Sequence, residues 1–169
     1  FTENILGNNE FGINTFENYV LGCKDHLATR VSYFLNLQGE ALNVNTACST
    51  SLVAIVEACR QLAQGSCHLA IAGGSSLALT QEFGYLYEDG LLISPDGRNR
   101  TFDINSRGTT FTSGTGVVVL KRFSEAQRDG DNILAIIDGY AVNNDGNRKV
   151  NYTAPSVLGQ KECILDRKS

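Results

Sequence analysis

The run Val44-Asn45-Thr46-Ala47-Cys48-Ser49-Thr50-Ser51-Leu52 constrains the fold more than any other stretch of the chain. Leu42, Val44 and Thr46 alternate with Asn43, Asn45 and Ala47, the period-two pattern of a strand. From Ser49 to Gln64 the pattern changes. Leu52, Ile55, Val56, Cys59, Leu62 and Ala63 recur at helical spacing, and Val53, Ala54 and Ala58 add apolar character on other faces. Only Glu57, Arg60, Gln61 and Gln64 are strongly polar, so the spacing predicts a mostly buried helix. Gly65, just past the last periodic residue, predicts its C-terminal stop. Strands alternating with helices of this kind imply an α/β layered fold.

The turn between strand and helix falls at Cys48. Unpaired backbone N–H groups and the positive end of the helix dipole favour an anion at such a place. A thiolate is such an anion, and a thiolate is the nucleophilic form of cysteine. The layout is that of a nucleophile elbow built around sulfur. Ala47, Ser49 and Thr50 are small, which leaves room for a substrate carbonyl and keeps backbone N–H groups available for a developing oxyanion. The competing reading is a buried cysteine acting as a small hydrophobe, the usual role of a free thiol.

The surrounding sequence favours the first reading. Thr46 to Ala54 resembles the active-site signature of the ketosynthase domain of modular polyketide synthases, within the thiolase-like condensing enzymes. The resemblance continues through Ala72-Gly73-Gly74, Gly84-Tyr85-Leu86-Tyr87, Leu92-Ile93-Ser94-Pro95-Asp96-Gly97 and Thr101-Phe102-Asp103. It runs on through Gly116 to Arg122, Asn143-Asn144-Asp145-Gly146 and Tyr152-Thr153-Ala154-Pro155-Ser156. It spans about Asp25 to Gln160, and the residues before Asp25 fit more loosely.

The resemblance implies a thiolase-like fold of α-β-α-β-α layers, of which residues 1–169 would supply mainly the N-terminal half as a partial ketosynthase domain truncated at both ends. It implies decarboxylative Claisen condensation. An acyl chain on Cys48 is attacked by a malonyl-type extender held on acyl carrier protein. Cys48 is then the nucleophile, and its own N–H supplies half of the oxyanion hole. No metal and no directly bound cofactor are implied, since the substrates ride on the phosphopantetheine of the carrier. The implied partners are acyl carrier protein, neighbouring synthase domains and a second copy in a homodimer, paired near the strand that leads to the cysteine. The family's active site is similar to a Cys-His-His arrangement, and the motifs of its two histidines do not occur in this chain. The chain by itself is therefore expected to be inactive in condensation. Two other readings are a non-elongating ketosynthase that holds or passes acyl chains, and a thiolase-like initiating enzyme. The Pro95-Asp96-Gly97 and Asn144-Asp145-Gly146 words favour the modular synthase over the initiating enzyme.

His26 and His68, the only histidines, stand in no family catalytic word and read as ordinary surface or core residues. The net charge of −4 without a basic cluster argues against a nucleic-acid partner. No apolar run approaches the ~20 residues that span a bilayer, so no membrane partner is expected. The five cysteines (Cys23, Cys48, Cys59, Cys67 and Cys163) show no zinc spacing and no Cys-x-x-Cys pair. They predict reduced thiols and a cytoplasmic setting, where the glycosylation-like words at Asn99 and Asn151 are idle.

Elsewhere, residues 1–24 read as irregular with one short helix, and Asp25 as the cap of a helix reaching Leu37. Leu69 to Ala72 reads as a buried strand ended by Gly73-Gly74, and 81–111 as a long excursion with local helix and turns. Gly116–Leu120 and Ile133–Ile137 read as strands, with a helical turn at Ser124–Asp129. Gly114-Thr115-Gly116 is expected to be a structural turn, since it lacks the phosphate-loop lysine. Asp103 and Arg107 are expected to pair. Asn143, Asn144 and Asp145 are expected to serve turn chemistry, and Thr153 and Ser156 are not assigned a catalytic role.

Overall fold

The computed structural model describes residues 13–78 and 84–166. The first helix, α1, is Ile13–Gly22. A single 3-10 turn at Lys24–His26 leads into α2, Leu27–Leu35. Asp25 does not cap α2, because no side chain at that turn bonds the helix. The partner comes from further along the chain. Asn43 Oδ1 accepts the Ala28 N–H at 3.1 Å, and Asn43 Nδ2 donates to the Asp25 carbonyl. The helix stops short of Leu37 because Asn36 turns left-handed at φ 53° and the Leu37 N–H returns to Ser32 O at 2.8 Å.

Helix α3, Thr50–Ala63, is the central element. Val56, Ala58 and Leu62 are its buried residues, while Leu52 remains 68% exposed, so burial is concentrated in the second half. Gly65 ends it at φ 75°, with Ser66 N–H bonded to Gln61 O and Gly65 N–H to Leu62 O. That is the left-handed stop the sequence predicts.

Two strands follow, β1 at Leu69–Ser76 and β2 at Gly114–Lys121. They pair antiparallel, with Ala72 opposite Val118 and Gly74 opposite Gly116. Gly73-Gly74 therefore lies inside β1 rather than ending it, and Gly114-Thr115-Gly116 opens β2 rather than forming a turn. Close approach explains both corrections. A Cβ at Gly73 would sit 2.1 Å from Gly116 O, and one at Gly74 would sit 3.0 Å from Ser51 Cβ on α3. Glycine lets the strand touch its partner on one side and the first turn of α3 on the other.

After β2, α4 runs Phe123–Asp129 and is capped by left-handed Gly130. Helix α5 is Val157–Leu165. Among the described residues the buried apolar side chains are Val56, Ala58 and Leu62 of α3, Ala72 of β1 and Ala126 of α4, and α3 packs against the β1–β2 pair. Residues 42–46 and 133–137 form no strand among the described residues. The first expectation rests on side-chain alternation and the second on an apolar run, but a strand also needs a partner for its backbone groups, and Leu134 stands 90% exposed. The 84–111 segment carries turns and no helix. It is closed by Ser94 N–H to Thr109 O (2.8 Å) and Thr109 N–H to Leu92 O (2.9 Å).

Candidate active site

Cys48 sits in a 3-10 turn, Ala47–Ser49, that runs directly into α3. Its thiol is free and the residue is exposed. The preceding residue, Ala47, is left-handed at φ 53°, a conformation costing a residue with a Cβ roughly 1–2 kcal/mol. Three hydroxyl groups surround this turn. Thr50 Oγ1 accepts the Thr46 N–H at 3.0 Å and donates to Ala47 O at 2.8 Å. Ser49 Oγ donates to Thr46 O at 2.9 Å and lies 3.0 Å from Thr46 Oγ1. These hydroxyls bind the turn's own backbone, and neither Thr46, ahead of the turn, nor Ser49, ahead of α3, caps the following N–H groups with its side chain. The Ser49 and Thr50 N–H groups bond Thr46 O and Ala47 O within the turn, and the arrangement presents an exposed thiol at the start of a helix, where an acyl carbonyl could approach.

Sequence reasoning does not identify Thr50 or Ala47 as parts of this geometry beyond their small size. Hydroxyl residues at a helix start are expected to cap it, and alanine carries no signal for a positive φ.

The remaining candidates have structural surroundings. His68 lies at the other end of α3, about 20 Å from Cys48 along a helix of this length. Its Nδ1 is 2.9 Å from Arg122 Nη2 and 3.4 Å from Glu125 Oε1. Arg122 also donates to Leu62 O (2.6 Å), Cys67 O (2.7 Å) and Glu125 Oε1 (2.8 Å). The Arg122 guanidinium holds the Glu125 carboxyl below its ordinary value, with a smaller contribution from His68. His26 offers its carbonyl to Thr29 Oγ1 at 3.1 Å. Within α3, partial burial pushes the Cys59 thiol up, away from the thiolate.

Asp103 does not pair with Arg107 among the described residues. Its carboxylate accepts the Asn105 N–H at 2.7 Å, a local turn contact closer along the chain. Asp96 forms the expected Pro95-Asp96-Gly97 turn, accepting from Ser94 Oγ (2.8 Å) and pairing with Arg100 through both oxygens. Arg100, and then Ser94, hold the Asp96 carboxyl far below the carboxylate range. Asn144 Oδ1 takes the Gly146 N–H at 2.7 Å, as turn chemistry requires. Its neighbours do more. Asn143 Nδ2 donates to Gly159 O (2.7 Å), and Asp145 Oδ2 accepts the Ser156 N–H (3.2 Å). Ser156 is buried and caps α5 by accepting the Gly159 N–H at 3.0 Å, whereas Thr153 Oγ1 donates to Asn151 Oδ1 at 3.0 Å. Among the described residues there is no cluster of three metal-capable side chains, and no helix is long and apolar enough to cross a membrane.

Comparison with known proteins gives the family of the chain. The family "Beta-ketoacyl synthase, N-terminal domain" matches residues 8–126, which takes the likeness well upstream of Asp25. One component of the phenolphthiocerol/phthiocerol polyketide synthase of Mycobacterium tuberculosis is 45% identical over 151 residues, covering 89% of this chain and 10% of that protein. Another component of the same synthase is 47% identical over 143 residues, covering 85% and 8%. Ketosynthase twelve of the bacillaene polyketide synthase from Bacillus amyloliquefaciens superposes with a TM-score of 0.81 at 38% identity, over 86% of this chain and 26% of that one. The module 1 ketosynthase of the same organism's bacillaene synthase gives 0.79 at 35%, over 95% and 29%. The chain thus spans a minor part of each of these relatives. It belongs to the beta-ketoacyl synthase family, as part of the N-terminal half of a thiolase-like ketosynthase domain of a modular polyketide synthase.

Proposed function

We propose that the protein containing this chain elongates polyketides, with Cys48 as its acyl-carrying nucleophile. The exposed thiol on a left-handed turn ahead of α3 supports this reading most directly, in a chain of ketosynthase family. The Cys48 thiolate attacks the carbonyl of an acyl thioester on acyl carrier protein. The new S–C bond forms, the carrier's C–S bond breaks, and the carrier thiol leaves with a proton. A malonyl-type extender on a second carrier loses carbon dioxide. The electron pair left on its α-carbon attacks the Cys48 thioester, and the Cys48 thiolate departs. The product is a β-ketoacyl chain longer by the two carbons of the extender. Dividing the reaction at a thioester separates acyl capture from carbon–carbon bond formation. The backbone N–H of Cys48 would stabilise the tetrahedral oxyanion in both halves.

The substrates arrive on phosphopantetheine, so acyl carrier protein is the working partner. Neighbouring synthase domains and a second copy of the ketosynthase complete the assembly in this reading. The experiment is to treat the intact protein with an acyl-thioester probe and locate the label by mass spectrometry. Label on Cys48, lost in Cys48→Ala, is expected, followed by a β-ketoacyl product when malonyl carrier is added. Label without product would point to an acyl-holding, non-elongating domain. Label surviving in Cys48→Ala would sink the nucleophile assignment.

A further inference from the structure

We propose that Thr50 is a positioning residue for the Cys48 thiol, its hydroxyl clamping the Thr46–Ala47 segment, with left-handed Ala47, immediately before the nucleophile. The inference rests on the reading of Cys48 as that nucleophile. A hydroxyl has one proton to give and lone pairs to accept with, and Thr50 uses both on the two residues ahead of Cys48. It accepts from the N–H of Thr46 and donates to the carbonyl of Ala47, so its two bonds bracket the Thr46–Ala47 segment. Ala47 holds φ at 53° between those two bonds.

That backbone angle sets the direction in which the chain emerges at Cys48, and hence where the thiol points. An alanine has no intrinsic reason to remain left-handed, so surrounding bonds must hold it there. Ser49 cannot replace the clamp. Its hydroxyl reaches only Thr46, on one side of Ala47. Thr50 is stiffened by its branched Cβ, and it belongs to the first turn of α3, whose neighbour Ser51 packs at Gly74 of β1. The clamp therefore refers the thiol to the sheet. Both polar functions of the hydroxyl are taken by backbone, so Thr50 acts on the reaction through Cys48 and not on the substrate.

The test compares Thr50→Val, Thr50→Ala, Thr50→Ser and Cys48→Ala in the intact protein. The readout is the single-turnover rate of Cys48 acylation by a short acyl thioester, resolved by site with mass spectrometry and followed against thioester concentration. Val and Ala should lower the saturating rate by about tenfold or more, as a small misplacement of a reacting atom does. The half-saturating concentration should stay unchanged. Ser, which keeps the hydroxyl, should restore a rate close to that of the unsubstituted protein. A purely structural role for Thr50 would lower the melting temperature and leave the saturating rate of the folded molecules intact, which would overturn the proposal. If Val does not fold, the contrast of Ala with Ser decides by the same criteria. A normal rate in Val or Ala, with Cys48→Ala unlabelled, removes Thr50 from its role and leaves the Cys48 assignment standing. Label persisting in Cys48→Ala removes both.

Discussion

The two ends of helix α3 are built on opposite plans. At its C-terminal end the last carbonyls find partners. Gly65 turns the chain back, Ser66 N–H reaches Gln61 O, and Arg122 Nη1 bridges Leu62 O and Cys67 O. Leu62, close to that end, is among the most buried apolar side chains at 5% exposure. At the N-terminal end the hydroxyls of Ser49 and Thr50 face backward into the turn, and Ser49, ahead of the helix, does not cap it with its side chain. Helix termini normally recruit caps because their backbone groups lack intrahelical partners. The closed end is anchored by these bonds, and the other end presents the exposed Cys48 thiol.

That division predicts two separable outcomes: melting temperature, and the rate at which Cys48 is labelled in folded molecules. The largest effect should come from Leu62→Ala. Removing a buried leucine side chain costs about 3 kcal/mol, so thermal unfolding of the intact protein should begin at markedly lower temperature. The Cys48 labelling rate per folded molecule should not change.

Arg122→Ala comes next. It leaves the carbonyls of Leu62 and Cys67 and the Glu125 carboxylate without their shared donor. Stranding partly buried hydrogen-bonding groups costs about 1–3 kcal/mol. Arg122→Lys should recover little of it, because an ammonium cannot reproduce the planar fork. If either variant slowed Cys48 labelling as strongly as it lowered the melting temperature, the two ends of α3 would not be independent.

Gly74→Ala should reverse the balance. The added Cβ would lie 3.0 Å from Ser51 Cβ, so the first turn of α3 must give way by a few tenths of an ångström. A contact of this kind costs about 1 kcal/mol, less than the changes at the closed end. It acts one helical step from Thr50 and should slow the labelling of Cys48 measurably. Unchanged labelling in Gly74→Ala would mean that the strand does not set the position of the Cys48 end.

Much of this division is legible in the sequence. The apolar period from Leu52 to Leu62 and the stop at Gly65 identify α3 and its end without coordinates. The placement of Cys48 at the turn follows from the change of period around it. The clamp is not legible. A serine and a threonine at a helix start predict caps, and only coordinates show that their hydroxyls turn back toward Thr46 and Ala47. Arg122 is equally hidden, because its four partners lie on α3, the α3–β1 connection, β1's approach and α4. The strand readings at 42–46 and 133–137 fail for a related reason. Alternation and apolar runs report which side chains favour burial, whereas a strand exists only where another backbone pairs with it. The glycines of β1 suggest conformational freedom in the sequence, but their role is the absence of a Cβ at two close contacts.

The smallest expected effect concerns acid. Asp129 ends α4, where a carboxylate meets the negative end of the helix dipole. Arg128 and then Lys121 outweigh that disadvantage and pull its carboxyl from the usual 3.8 down to about 2. Lys121 Nζ also reaches Asp131, so the end of β2 is tied to both sides of the α4 stop. A carboxyl with a lowered value in the folded state binds fewer protons folded than unfolded between those two limits. Its contribution is therefore complete above 3.8 and is lost as the pH falls toward 2. The group is exposed and solvent screens it, so the contribution is small. Asp129→Asn should flatten that part of the stability curve, measured by denaturant unfolding at closely spaced acid pH values. Its effect should shrink further in high salt. The Cys48 labelling rate at neutral pH should stay unchanged, because the ion pairs brace the closed side of the fold. A steeper acid limb in Asp129→Asn would require the opposite sign, with Asp129 more readily protonated in the folded chain than in the unfolded one.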